Sequence, residues 1–302
     1  MFITVQDFTG VYAEQPFMRE LREKSAKSAD IHWLDCTKIV GTDCYCDDDA
    51  VKAINEMIDN AENGCVSKNR GNSGNVPTIH FFDNGNYHYM SKLWTDRIQH
   101  PFTLIVFDHH PDMQPPRFGG ILSCGGWVLE VLENNKFIQN VVIIGVKDEL
   151  VETVREVFSQ AGDTEISNKV IFVKESELGK DIPLSSFVNQ RSGLSSNIYL
   201  SIDKDALAPA FAATNWDQGS LTLDALKNYI TSFTANRKIL GIDICGERAH
   251  DFEGDANHTV QKADSPTTRL IANLSSFCRN FKSYFTATNL RRSTPAPFSC
   301  IT

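Results

Sequence analysis

The chain has 302 residues, 41% of them hydrophobic and 22% charged, with a formal charge of −9. That balance matches an ordinary globular protein and does not indicate disorder, and the acidic excess gives no support to a nucleic-acid partner, which needs a clustered basic face. No apolar run reaches membrane-spanning length and residues 1–10 lack the basic and apolar regions of an export signal, so a cytoplasmic protein without a membrane partner is expected.

Short apolar runs rich in β-branched residues predict strands, and segments of helical periodicity lie between them. In chain order these are a strand at 1–5, a helix at 49–60, strands at 78–82 and 102–107, a helix at 126–134, and a strand at 141–146. There follow a helix at 149–160, strands at 170–173 and 197–202, a helix at 223–235, a strand at 238–242 and a helix at 267–281. The stretch 63–75, NGCVSKNRGNSGN, reads as an exposed loop, and the tail 291–302, RRSTPAPFSCIT, as irregular. Strand-helix alternation implies parallel βαβ units, hence an α/β fold in three layers, α/β/α, with a mostly parallel sheet spanning 1–302 as a single domain. Eight cysteines are scattered along this length, and Cys44 and Cys46 are too close together for a zinc-finger pair, so reduced thiols are expected.

In open parallel sheets ligands sit beyond the carboxyl ends of the strands. Three such places carry chemistry. FTLIVFDHHPDM, residues 102–113, runs from an apolar strand into Asp108, His110 and Asp112, which a period of two puts on one side of an extended segment. Pro111 has no N–H and helps end the sheet pairing there. Two carboxylates and an imidazole this close repel or hold protons unless a cation gathers them, which outweighs a polar loop with an incidental histidine. NIYLSIDKDAL, residues 197–207, ends a second strand in Asp203 and Asp205; alone, such a pair equally caps or solvates a loop. TIHFFDNGNYHYM, residues 78–90, leads through a Gly/Asn turn to His88, a structural histidine or a ligand, while His80 inside the strand reads as a core histidine.

The order GNYHY at 85–89, DHHPD at 108–112, SIDKDALAP at 201–209 and GSLT at 219–222 resembles the arginase/agmatinase/formiminoglutamase family, the ureohydrolases, over residues 78–247. The resemblance implies the arginase/deacetylase-like fold and two divalent metal ions, Mn2+ by preference. One ion would be held by His88, Asp108, Asp112 and Asp203, the other by Asp108, His110, Asp203 and Asp205. It further implies hydrolysis of a C–N bond in a small-molecule or peptide substrate carrying a guanidinium or amide group, by a hydroxide bridging the metals, with Asp112 orienting it and taking its proton. A closer likeness, to a little-characterised arginase-like family that includes peptide arginases, implies peptidyl arginine as a substrate. Family members are often trimers or hexamers, so a homo-oligomer is compatible.

The chain departs from the family around this cluster. The family's proton-shuttling histidine is absent: Ser123, Cys124, Gly125 and Gly126 stand there, and no histidine lies between His110 and His250. Cys124 is either a substitute weak acid or a small packing residue. Gly246 occupies the position of the family's substrate-binding glutamate, and Glu247, one residue later, serves only if the turn bulges. His250, Asp251 and Asp255 either rebuild the pocket or are solvated, and His109 should point away from the metals. Two other functions fit the pattern: a single-zinc deacetylase-like amide hydrolase, whose metal strand also carries a His-His pair, and a catalytically silent metal-binding protein of the arginase fold.

Overall fold

The computed structural model describes residues 2–69, 78–117, 119–179 and 194–248. Eight strands form one sheet: β1 (Phe2–Asp7), β2 (Ile31–Asp35), β4 (Thr78–Phe81), β5 (Phe102–Phe107), β7 (Ile138–Val146), β8 (Val170–Lys174), β9 (Asn197–Asp203) and β10 (Lys238–Cys245). Their order is β2-β1-β4-β10-β9-β5-β7-β8 and every neighbouring pair is parallel. Two further short strands, β3 (Tyr45–Cys46) and β6 (Leu122–Ser123), make a separate antiparallel ribbon. Central strands such as β5 are buried at every position, because both faces of a parallel sheet are covered by the crossover helices.

One face is covered by α2 (Asp48–Asn69), α3 (Met90–Thr95), α4 (Trp127–Asn134), α5 (Asp148–Ala161) and α6 (Thr164–Lys169), through Ile54, Leu93, Trp127, Val151 and Ile166 among others. The opposite face packs against α1 (Pro16–Ser25) and α7 (Leu223–Thr234), through Met18, Leu21, Leu226, Ile230 and Phe233. Each such fully buried side chain contributes about 1.5–3 kcal/mol, so the two apolar layers fix the sandwich. Local signals set the helix ends: Pro16 opens α1, Thr222 caps α7 by accepting from Ala225 N, and Gly162 at φ 68° ends α5.

The expected α/β/α architecture is the one observed. The stretch 63–75 is not wholly a loop, since α2 runs on to Asn69. A glycine such as Gly64 costs a helix about 1 kcal/mol, which an established helix absorbs more easily than it renucleates. The edge strand β2 and helix α1 carry weaker patterns and have no counterpart in the sequence reading. The expected helix 267–281, the tail 291–302, and His250, Asp251 and Asp255 lie outside the described residues. Among the described residues no helix is long and apolar enough to cross a membrane.

Candidate metal centre

The site lies beyond the carboxyl ends of β4, β5, β9 and β10. Past β5, the Asp108 N–H still donates to the Ile144 carbonyl at 3.1 Å, after which the chain leaves the sheet. Asp112 adopts a left-handed backbone, φ 48°, which costs a non-glycine residue about 1 kcal/mol or more. The start of α4 holds it there. Val128 N donates to the Asp112 carbonyl at 3.0 Å and Trp127 Nε1 to its Oδ2 at 2.7 Å. At the end of β9, Asp203 Oδ1 accepts from Asp205 N at 2.9 Å, starting the turn that brings both carboxylates to the same side. His88 follows a short 3-10 turn, Gly85–Tyr87, whose opening Asn84 accepts from Asn86 N. Gly85 is required for close approach, since a Cβ there would lie 2.9 Å from Trp216 and 3.2 Å from Asp203 Oδ2.

These segments bring all six predicted donors together. His88 Nδ1 lies 3.0 Å from Asp108 Oδ2, 3.0 Å from Asp112 Oδ2 and 3.5 Å from Asp203 Oδ2. His110 Nδ1 lies 2.9 Å from Asp205 Oδ2 and 3.4 Å from Asp108 Oδ1. The two groups share Asp108, whose two oxygens face opposite histidines. Each outer imidazole nitrogen is held in turn: His88 Nε2 by Ser201 Oγ at 2.9 Å, itself 2.9 Å from Ser91 Oγ, and His110 Nε2 by Asp217 Oδ1 at 2.8 Å. Such partners fix which nitrogen faces a metal and how the ring is turned. Ser201, Asp217 and Trp127 carry no spacing signal that sequence reading could use, although Ser201 sits inside the SIDKD motif.

Electrostatics show what the cluster lacks. Asp108, Asp112, Asp203 and Asp205 are all buried. Burial first, then the Asp205 carboxylate, pushes Asp203 up to about 7; burial and Asp108 push Asp205 up to about 6. Burial would lower the His88 pKa, but the Cys245 thiol and the Asp108 and Asp112 carboxylates outweigh it and hold it well above its usual value. His110 behaves likewise, raised to about 12 by Asp108 and Asp205 against the effect of burial. Four carboxylates and two imidazoles packed this closely form a donor set that fits two divalent cations, whose four positive charges balance the four aspartates. Oxygen-rich groups with one imidazole each are the chemistry of manganese-type ions.

A further donor escaped the sequence reading. Cys245 closes β10 in register with Asp203, is fully buried, and its Sγ donates to Asp203 Oδ2 at 3.2 Å. Its sulphur, a His88 ring nitrogen and an Asp203 oxygen all lie within 4.8 Å of one another. Burial first, then Asp203, raises the Cys245 pKa.

A cavity of about 610 Å³ opens onto the cluster, bounded by the four aspartates, Trp216, Cys124 and the apolar face of α5 at Leu150, Val154 and Phe158. Cys124 therefore borders the cavity. Its thiol meets that of Cys44 across the β3–β6 ribbon, where Cys124 N donates to the Cys44 carbonyl at 2.9 Å. The contact with Cys44, then burial and Asp112, raises the Cys124 pKa, so the thiol keeps its proton.

Glu247 is placed differently from the expectation of a substrate-facing carboxylate. It is buried, forms an ion pair with the equally buried Lys204, and accepts from Gln15 Nε2 at 2.9 Å. It is absent from the cavity wall. Gly246 explains the shift: at φ 86°, a Cβ at this position would lie 2.3 Å from Asp203 Oδ1 and 2.7 Å from Lys204 N, so no side chain fits where the family has its glutamate. His109 points away from the cavity, its Nδ1 3.2 Å from the Gly145 carbonyl, while its backbone N–H donates to Asp205 Oδ1 at 3.1 Å.

Fold and site together define an open parallel α/β protein with an imidazole–carboxylate cage at its strand ends. The sequence model of the arginase family matches residues 86–260, more than half of the chain, and the chain belongs to that family. It is 28% identical over 245 residues to an uncharacterised protein of Thermotoga maritima, covering 81% of this chain and 79% of the relative. Among solved structures it is similar to the agmatine ureohydrolase of Thermoplasma volcanium, at 12% identity and a TM-score of 0.59, over 95% of this chain and 92% of that one. It is also similar to the arginase from Bacillus subtilis, at 16% identity and a TM-score of 0.59, over 91% and 98% of the two chains. The proclavaminate amidino hydrolase from Streptomyces clavuligerus matches at 16% identity and a TM-score of 0.58, over 90% and 89%. At these identities the structural likeness is one of fold.

Proposed function

We propose that the chain is a metal-dependent hydrolase that cleaves a C–N bond of a guanidino, amidino or related linear substrate, with peptidyl arginine as a candidate. His88, Asp108, Asp112 and Asp203 would hold one divalent cation, and Asp108, His110, Asp203 and Asp205 the other. The observation that carries this reading is the convergence of both histidines on one shared carboxylate, with His88 Nδ1 3.0 Å from Asp108 and His110 Nδ1 3.4 Å from its other oxygen. When bound, a pair of cations supplies Lewis acidity and lowers the pKa of water at the site towards neutrality.

The chain's own residues do the rest. Asp112, anchored by Trp127 and bordering the cavity, takes a proton from the attacking water. The reaction adds that water to the sp2 carbon, breaks the C–N bond and releases the amine with a proton. Cys124 borders the cavity, but the contact with Cys44 and burial hold its proton too firmly for it to act as an acid, so it packs the wall and Asp112 returns the proton taken from water to the leaving amine. Ser201 and Asp217 hold the two imidazoles in orientation. With Glu247 committed to Lys204 and Gln15, the cavity offers a guanidinium no glutamate among the described residues, and the apolar wall of α5 favours a substrate with an aliphatic body over a free amino acid.

One observation favours a second reading, a silent metal-binding protein: the usual substrate-facing carboxylate is withdrawn into the Lys204 ion pair. Elemental analysis of the manganese-loaded chain, coupled to a urea and ammonia release screen over arginine, agmatine, guanidinobutyrate, formiminoglutamate and arginyl peptides, separates the two. Two cations and turnover support the hydrolase, two cations without turnover the silent protein. Metal content far below two ions per chain sinks both.

A further inference from the structure

We propose that Cys245 is a sulphur donor to the cation held by His88 and Asp203, so that one position of the pair takes zinc, cobalt or iron(II) in preference to manganese. The inference rests on the dimetal reading above and concerns what occupies one half of that site.

Geometry carries it. β9 and β10 are adjacent and parallel, and Cys245 is the register partner of Asp203, so the two side chains leave the same face of the sheet at its carboxyl end. The Sγ lies 3.2 Å from Asp203 Oδ2, the same oxygen that is 3.5 Å from His88 Nδ1. Sulphur and oxygen ligands sharing one tetrahedral ion with ordinary bond lengths sit about 3.5 Å apart, close to the observed separation. Sulphur, nitrogen and oxygen all lie within 4.8 Å of one another, a spread that one cation can span.

The surroundings argue against simple packing. A buried cysteine that only fills space lies against carbon. Here the thiol faces His88 and Asp203, two of the groups that would hold the cation. Gly246 next to it brings the chain against Asp203 and Lys204 where a Cβ would not fit, and so fixes where Cys245 ends. On binding, the cation takes the sulphur as thiolate and the proton now shared with Asp203 passes to solvent, so charge and atoms balance. Thiolate is a soft donor: it stabilises zinc, cobalt and iron(II) and gains little from manganese, whereas the position between Asp108, His110 and Asp205 has no sulphur donor among the described residues and is oxygen-rich. The expected occupant is therefore a mixed pair, one borderline-soft ion and one hard ion.

The test uses the full-length protein loaded with Co(II). A near-ultraviolet thiolate-to-cobalt charge-transfer band is expected, lost in Cys245→Ser and retained in Cys124→Ser. X-ray absorption at the zinc edge of the unsubstituted chain should show a sulphur neighbour at about 2.3 Å. In competition, Cys245→Ser should lower zinc affinity at least about tenfold more than manganese affinity. Two bound cations surrounded only by nitrogen and oxygen, or a band that survives in Cys245→Ser, overturns the proposal and leaves the dimetal hydrolase standing. A chain that binds no cation removes both. If Cys245→Ser does not fold, the absorption-edge measurement on the native chain decides alone.

Discussion

Gly246 offers a direct test of how the site is built, because a single methyl group can be placed against Asp203. In Gly246→Ala the new Cβ would sit 2.3 Å from Asp203 Oδ1, 2.7 Å from Lys204 N and 3.1 Å from Lys204 Cβ, on a backbone at φ 86°. Gly162 is the matched control, with φ 68° and nothing within 4 Å of its Cβ position. Gly162→Ala therefore pays only the left-handed strain, about 1–2 kcal/mol. Gly246→Ala adds overpacking of about 1–3 kcal/mol, since the obstructing atoms include backbone and a carboxylate fixed by Asp205 N. The expected cost is about 2–5 kcal/mol in urea denaturation of the metal-free chain, with cation affinity reduced at both positions if Asp203 serves both as proposed. Equal costs for the two alanine variants, with cation affinity unchanged in Gly246→Ala, would refute the account of why glycine replaces the family's glutamate.

Lys204→Met removes the cation paired with the buried Glu247 carboxylate, which keeps its Gln15 hydrogen bond, and should cost about 3–5 kcal/mol, whereas Lys204→Met with Glu247→Met should recover most of it; a double variant as unstable as the single one contradicts the pairing. Trp127→Phe removes the donor to Asp112 Oδ2, and a drop in cation affinity of about 10–100-fold by titration calorimetry is expected, against no change if Asp112 is not a ligand. Burial, acting against its Thr9 and Asn84 hydrogen bonds, raises Asp83 to about 6. A carboxyl whose folded pKa is raised stabilises the fold fully below its unfolded value and loses that contribution as pH climbs through about 6. Denaturation midpoints from pH 4 to 7 should therefore show the native chain losing up to about 3 kcal/mol relative to Asp83→Asn, and parallel curves would sink this assignment.

How much of this was legible beforehand depended on whether the information was local. The run ending at Phe107 announces a buried parallel strand, and Asp108, His110 and Asp112 directly follow it, so both the strand and its ligand role can be read from twelve consecutive letters. His88, Asp203 and Asp205 are weak signals singly and became readable through their order along the chain. Cys245 was invisible because a cysteine at a strand end reads as filler until the register with Asp203 is known. Lys204 carries no pattern in the sequence, and only the return of β10 beside β9 brings Glu247 to it. The same return cancels the bulge by which Glu247 was expected to reach a substrate. The edge strand β2, half exposed, lacks the apolar density that exposed its buried neighbours to prediction.

The donors come from segments after β4, β5 and β9 and from the last residue of β10, stations spread from residue 88 to residue 245. No fragment that stops short of β10 brings Cys245 to Asp203, because that strand must first slot between β4 and β9. Under the proposed ligation a cation would therefore find its sulphur donor only once the centre of the sheet has closed.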